Sequence, residues 1–414
     1  MATTNILQTV KTYNDSGLAL LLNSFAILSN ANTKFKNFDK MEKNLGDTVE
    51  FDLPPRFTTT NSLVVSFQSA EQRVQTLTVD QQVSTAYEFS AQEFIFEVED
   101  YMDKFGKSAI AEIGTKIESN TFKLAETHTF RFYGDGVTDI SSYLQLANAL
   151  AFFRNFGSAK SDTKGFLSDL TFPRIVNSGL NQFVPQKNER EMMSWEIGKF
   201  SNTDWFQSNL LATHTSGSEG VNGSTLTVVS TTKNAAGGIT SIVFSGTSGA
   251  SNADSVKQYD KFQFSDGVSG QTNLRFRTFI GHEVSQSPVQ FAATADAAST
   301  GASQVTVTIT PALQSAAGKD QNINVDIVAG MQATVLPSHR CGLIMAGNPL
   351  YLAMPKLPEE VPFPTSTSQD PSSGCSIRQY YGSLFGQNQR GMVHDGIWGN
   401  TLVSEYAMMV ALPL

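Results

Sequence analysis

The chain reads as a mixed α+β protein, and three observations lead to that class. An apolar pattern of helical period runs from about Asp100 to Glu126. Runs of strand period are spread over much of the remaining length. One segment, Ser216 to Gly330, is rich in Ser, Thr, Gly and Ala and holds short β runs divided by turn signals. With 414 residues the chain has room for two or three domains.

Taken in order, the spacing predicts an amphipathic helix from about Asp15 to Asn30, with Asp15 or Ser16 as its cap. A lysine-bearing stretch follows at Lys34, Lys36, Lys40 and Lys43, which is either a solvated face or a contact with an acidic surface or nucleic acid. Thr48–Leu53 alternates apolar and polar and is stopped by Pro54-Pro55. Leu63–Phe67 and Val74–Val79 are β-like, joined by polar sequence, and describe an extended hairpin that is marginal alone. Further strand-like stretches are Tyr87–Phe89 and Phe94–Val98.

Met102, Phe105, Ala109, Ile113 and Ile117 then recur at steps of three and four, which places them on one buried helix face. Gly106 weakens that helix by about 1 kcal/mol without breaking it. A second helix is expected from about Ser141 to Phe156, after a turn at Tyr133–Gly136. From Gly165 to Thr215 the signals mix. The β-rich segment contributes runs at Thr225–Val229, Ile239–Phe244, Lys261–Phe264 and Val305–Ile309, a pattern of a small barrel or sandwich. Mixed signals resume at Ala333–Pro355, so the β segment reads as an insertion. Pro355–Ser373 is expected to be extended or loop, and Ser376–Leu412 returns to strand.

Only 16% of residues are charged, against about 25% in a typical soluble chain. A net charge of −9 argues against a chain whose main work is gripping phosphates. Cys341 and Cys375 form no C-x-x-C pair and suit buried, idle thiols. The run Leu18–Leu28 is too short and broken to span a bilayer, and no targeting segment is visible.

Motifs of catalysis are missing. Gly106-Lys107-Ser108 resembles the end of a phosphate loop, but Tyr101 stands where the first glycine is needed. His128, His214, His282, His339 and His394 offer no i, i+4 pair for a zinc site, and His282-Glu283 reads as an exposed pair. No catalytic residue, cofactor or metal is expected.

Several stretches, in their order, resemble the coat-protein family of P22-like tailed phages, built on the HK97 shell fold. Gly46-Asp47-Thr48-Val49 before Pro54-Pro55 resembles the entry to that family's extended loop, and Leu77–Asp80 with Phe89–Glu93 resembles its exit. Ile197–Phe200 and Asp204–Asn209 look like the segment leading into an insertion domain. Tyr259–Phe262 and Val307–Leu313 look like its strands, and Ala346–Leu350 like the return. His394–Gly399 resembles the final segment.

The resemblance implies an N-terminal arm at 1–46 and an extended loop at 47–82. It implies a peripheral domain with a spine helix and the first part of an axial domain at 83–215. An inserted, barrel-like β domain at 216–332 and the remainder of the axial and peripheral domains at 333–414 would follow. It implies a non-enzymatic major capsid protein of the virion, assembled in the host cytoplasm into pentamers and hexamers. A scaffolding protein and a portal would be its partners, and double-stranded DNA would be enclosed without sequence-specific binding. The acidic balance suits a wall that does not hold DNA tightly. Lys34, Lys36, Pro54, Pro55, Arg56 and Arg73 are the candidate intersubunit contacts. Two other readings stand beside it: an encapsulin-like nanocompartment shell, and a β-rich adhesin or fibre subunit.

Overall fold

The computed structural model describes residues 27–32, 48–59, 67–68, 71–90, 106–157, 162–178, 198–249, 251–265, 273–358, 365–369, 375–383 and 389–414. The fold is mixed α+β and rich in strands. By internal contact the chain divides into two units. One comprises Met1–Phe51, Val74–Thr121 and Asn348–Leu402; the other comprises Asp52–Arg73, Phe122–Gly347 and Val403–Leu414.

Strands β1 (Thr48–Leu53) and β2 (Arg73–Thr78) pair as a two-stranded ladder. Strand β3 (Gln81–Ser90) follows, longer than the three residues expected at Tyr87–Phe89. Helix α1 spans Lys107–Thr127. Its buried positions include Ala109, Ile113 and Ile117, the periodic residues of the sequence, joined by Ile110. The buried Glu118 carboxylate accepts the Ile27 backbone N–H at 3.3 Å, which gives a polar group on that face a partner. Met102 and Phe105 lie outside the described residues, as do Phe94–Val98 and nearly all of the helix expected at Asp15–Asn30.

The second unit holds a sheet and a barrel. The sheet combines β4 (Phe132–Tyr133), β5 (Thr163–Leu167), β6 (Lys199–Phe200), β7 (Thr203–Gln207), β8 (Thr213–His214), β17 (His339–Ala346) and β22 (Ala407–Leu412). Their order is β4-β22-β17-β5-β7-β6, with β8 also on β17. Every residue of β22 is buried, and so is every residue of β17 except Arg340. A strand covered on both faces needs a continuous apolar run rather than alternation, and Ala407–Leu412 is such a run. Helix α2 (Tyr143–Arg154) begins one residue after Ser142, whose hydroxyl accepts the Gln145 N–H at 3.2 Å. Tyr143, Leu146, Leu150 and Phe153 line its buried side, while Leu144 faces solvent. A short helix, α3, spans Thr171–Val176.

Six strands close into an antiparallel barrel: β9 (Thr225–Lys233), β10 (Ile239–Ser245), β11 (Lys261–Phe264), β14 (Gln290–Ala293), β15 (Gln304–Leu313) and β16 (Gln332–Val335). Closure comes from β9, which pairs with β10 on one side and β16 on the other. In β15, Val305, Val307 and Ile309 point inward with Thr306, Thr308 and Thr310 outward, the period-2 alternation of a one-sided strand. Phe244, Phe262 and Phe291, from three strands, stack inside with rings within 9° of parallel and centroids 4.9–6.3 Å apart. A separate hairpin joins β12 (Arg275–Arg277) and β13 (Val284–Pro288). The chain leaves the sheet on β8 and returns on β17, and these two strands pair, His214 opposite His339. The barrel core does not stop at the barrel: Phe130 and Phe156, on either side of α2, pack edge to face with Phe276 of β12.

In the first unit β18 (Leu350–Ala353), β19 (Thr365–Gln369), β20 (Ser376–Ser383) and β21 (Gln389–Leu402) form a sheet in the order β18-β21-β20-β19, and β3 also pairs with β21. The 14-residue β21 is long enough to hold β20 and β18 in succession while β3 runs along Gln389–Trp398. Gly399 lies so close to the chain at Thr78 that a Cβ there would stand 2.0 Å from the Thr78 carbonyl oxygen. Thr365–Gln369 is a paired strand within the proline-rich stretch, which resolves the "extended or loop" alternative at those five residues.

Candidate interaction surface

The turn of chain between β1 and β2 carries the residues singled out in the sequence. Pro54 and Pro55 are exposed, Arg56 is half-buried, Phe57 is 53% exposed and Phe67 is 99% exposed. Bonds across this segment are polar. Thr58 N–H donates to Gln68 Oε1 at 3.0 Å, Gln68 Nε2 donates to Thr58 O at 2.5 Å, and Gln72 Nε2 donates to Asp52 Oδ1 at 2.6 Å. Lys34 and Lys36 lie outside the described residues.

Arg56 and Arg73 converge on one acid of their own chain. Both guanidiniums pair with Glu405, in the turn between β21 and β22, and Arg73 Nη1 adds a second contact to Oε2 at 3.3 Å. All three side chains are largely shielded, at 22%, 27% and 13% exposure. Two charge-assisted contacts in a sheltered site hold the Arg56 and Arg73 ends of the segment, while Phe57 and Phe67 are exposed. Glu71 pairs with Lys319 further out; that ion pair holds the Glu71 carboxyl below its usual range and raises Lys319. Arg56 and Glu405 also line a cleft of about 330 Å³ walled by Phe130, Phe156, Phe276 and Phe279.

A buried polar cluster sits where the barrel meets the end of α1. The His214 ring is bracketed by two carboxylates, Nδ1 at 2.7 Å from Glu126 Oε1 and Nε2 at 2.8 Å from Asp260 Oδ1. The other Asp260 oxygen accepts the N–H groups of Lys257 at 2.8 Å and Gly217 at 3.2 Å. Lys261, the first residue of β11, donates from Nζ to the carbonyl oxygens of Glu126, at 2.7 Å, and Thr129. It thereby supplies donors and positive charge at the C-terminal end of α1, where helix carbonyls lack partners. Burial pulls the Lys261 ammonium down to about 8. Burial also pushes the His339 imidazole down to about 4 and the Cys341 thiol up to about 12. Cys341 and Cys375 are both buried.

Nearby, Arg131 is buried against the Phe156 ring, 4.2 Å from its centroid, and donates to the carbonyls of Phe153, Glu405 and Ala407. Among the described residues no group of His, Cys, Asp and Glu is arranged to hold a metal ion, and no helix is long and apolar enough to cross a membrane.

No protein-family model matches the chain. No curated protein matches it. Solved structures similar to it include one from Mycobacterium phage Che8, with 7% identity and a TM-score of 0.44 over 88% of this chain and 84% of that one. The capsid of Ralstonia phage GP4 gives 8% identity and 0.41 over 89% and 83%. The virus-like particle from Pyrococcus furiosus gives 6% identity and 0.40 over 96% and 97%. At these scores the likeness assigns neither fold nor activity to this chain.

Proposed function

We propose that this chain is a major capsid protein that assembles copies of itself into the icosahedral head of a tailed phage, around double-stranded DNA. The observation that carries the reading is the segment between β1 and β2. It exposes Phe57 and Phe67, is cross-braced by polar side chains, and is anchored at its base through Arg56 and Arg73 on Glu405. Ordering such a segment costs about 1–2 kcal/mol of backbone entropy per residue, which apolar contact with another copy offsets. A subunit that lends a loop to its neighbour makes a head-to-tail contact, and such contacts close into rings.

The order of elements supports the same reading. Loop, helix, sheet, barrel between two paired strands and return to the sheet follow the order that the family resemblance implies. On this reading 216–332 is the inserted domain of an HK97-type shell fold. Pro54 and Pro55 face a neighbouring copy, as do Lys34 and Lys36 on the arm. A scaffolding protein and a portal take part in assembly in the host cytoplasm, and the product is the virion shell.

Electron microscopy of the purified full-length chain, expressed with the genes beside its own, tests this. Closed shells built of pentamers and hexamers are expected. A chain that stays monomeric under every assembly condition overturns the proposal.

A further inference from the structure

We propose that His214 is a proton-operated tie: its imidazolium form joins the end of α1 to the head of β11, and loss of its proton loosens that joint. The geometry leads there before any titration is considered. Both ring nitrogens lie within hydrogen-bond distance of a carboxylate oxygen, at 2.7 and 2.8 Å. A neutral imidazole has one N–H, so its other nitrogen would set a lone pair against a carboxylate lone pair. Only a doubly protonated ring donates to both. The second oxygen of Asp260 accepts two backbone N–H groups, which fixes the carboxylate against the ring.

The titratable groups that face the ring come from each element packed against it. From α1 comes Glu126, and just beyond the helix His128, whose pKa burial lowers. From the start of β11 come Asp260 and Lys261, the latter directed at the carbonyls of Glu126 and Thr129. From β17 come His339, its ring 5.4 Å away, and Cys341, both uncharged at neutral pH. Burial works against the charged form of His214, but the hydrogen bonds to Asp260 and Glu126 outweigh it and raise the pKa above its usual value. A group whose folded pKa is raised contributes stability that is complete below its unfolded value, about 6.5, and is lost as pH rises through the folded value. Lys261 has the opposite sign: its lowered pKa makes the fold gain stability as pH rises above about 8.

This inference does not depend on the shell reading, since it concerns one subunit and is tested without assembly. Histidine ring signals of the isotopically labelled full chain, followed by NMR from pH 5.5 to 8.5, report His214 directly. Thermal melts of the same chain and of His214→Gln over that range report the coupling, and comparing the two cancels Lys261. The expected results are a His214 midpoint above 6.5 and a wild-type melting temperature that falls relative to His214→Gln as pH rises. A His214 midpoint at or below 6.5 overturns the proposal, and so do parallel melting profiles. Should His214→Gln fail to fold, the wild-type midpoint still decides.

Discussion

Gly165 lies directly opposite Trp205 in the parallel ladder of β5 and β7, and a Cβ on Gly165 would stand 2.3 Å from the indole ring. The Trp205 ring therefore occupies the space that any other residue at 165 would fill. Gly165→Ala is expected to destabilise the subunit by about 1–3 kcal/mol, the usual cost of overpacking. Urea denaturation of the unassembled chain measures it; an unchanged midpoint would mean the ring can swing aside.

The Arg56 and Arg73 contacts with Glu405 predict a measurable coupling. A double-mutant cycle on Arg73 and Glu405 is expected to give about 1 kcal/mol, more than a fully exposed pair because the carboxylate is sheltered. The coupling should shrink with added salt. Additive single and double mutants would place the pair's worth at zero.

Phe262 stands at the centre of the barrel stack, fully buried between Phe244 and Phe291. Phe262→Ala is expected to cost about 3–5 kcal/mol and to lower the thermal transition of the chain. A transition within a degree of wild type would show that the stack carries little of the barrel's stability.

Ile113 is fully buried on α1. Ile113→Asp would bury a charge without a partner, and the yield of soluble chain should collapse, while Ile113→Val should cost only about 0.5–1.5 kcal/mol. Normal solubility of the aspartate variant would contradict the placement of that helix face.

Lys261 supplies a second pH signature. Its folded pKa of about 8 lies below the usual lysine value, so the unfolded chain binds more protons between pH 8 and about 10.5 and stability rises across that window. In Lys261→Met that rise should vanish, as denaturant midpoints at pH 8 and 10 would show.

Local pattern made much of this fold readable. The apolar steps at Ala109, Ile113 and Ile117 of α1, the buried side of α2 and the runs at β9, β10 and β15 fall where the spacing puts them, and Ala407–Leu412 reads as strand. The short strands were not readable. Gln290–Ala293 is buried at all four positions and shows no period, and Thr365–Gln369 is a run of Ser, Thr and Gln beside prolines. The partners were less legible still. Arg56 and Arg73 meet an acid 349 and 332 positions away, and His214 meets acids 88 positions before and 46 after it. Such pairings are made by topology, and no repeat or spacing in the chain encodes them. Arg56 and Arg73 were marked in the sequence, but Glu405 carries no local signal at all.

A sheet with an open border offers its unused amide and carbonyl groups to any passing strand, which is how crowded chains begin to aggregate. The six-stranded barrel has no such border, because β9 closes on both β10 and β16. Two copies of the barrel brought together therefore cannot add strand to strand across its closed ladder. A closed ladder of this kind meets a neighbour through side chains and turns, where an open sheet of the same composition would also present its backbone.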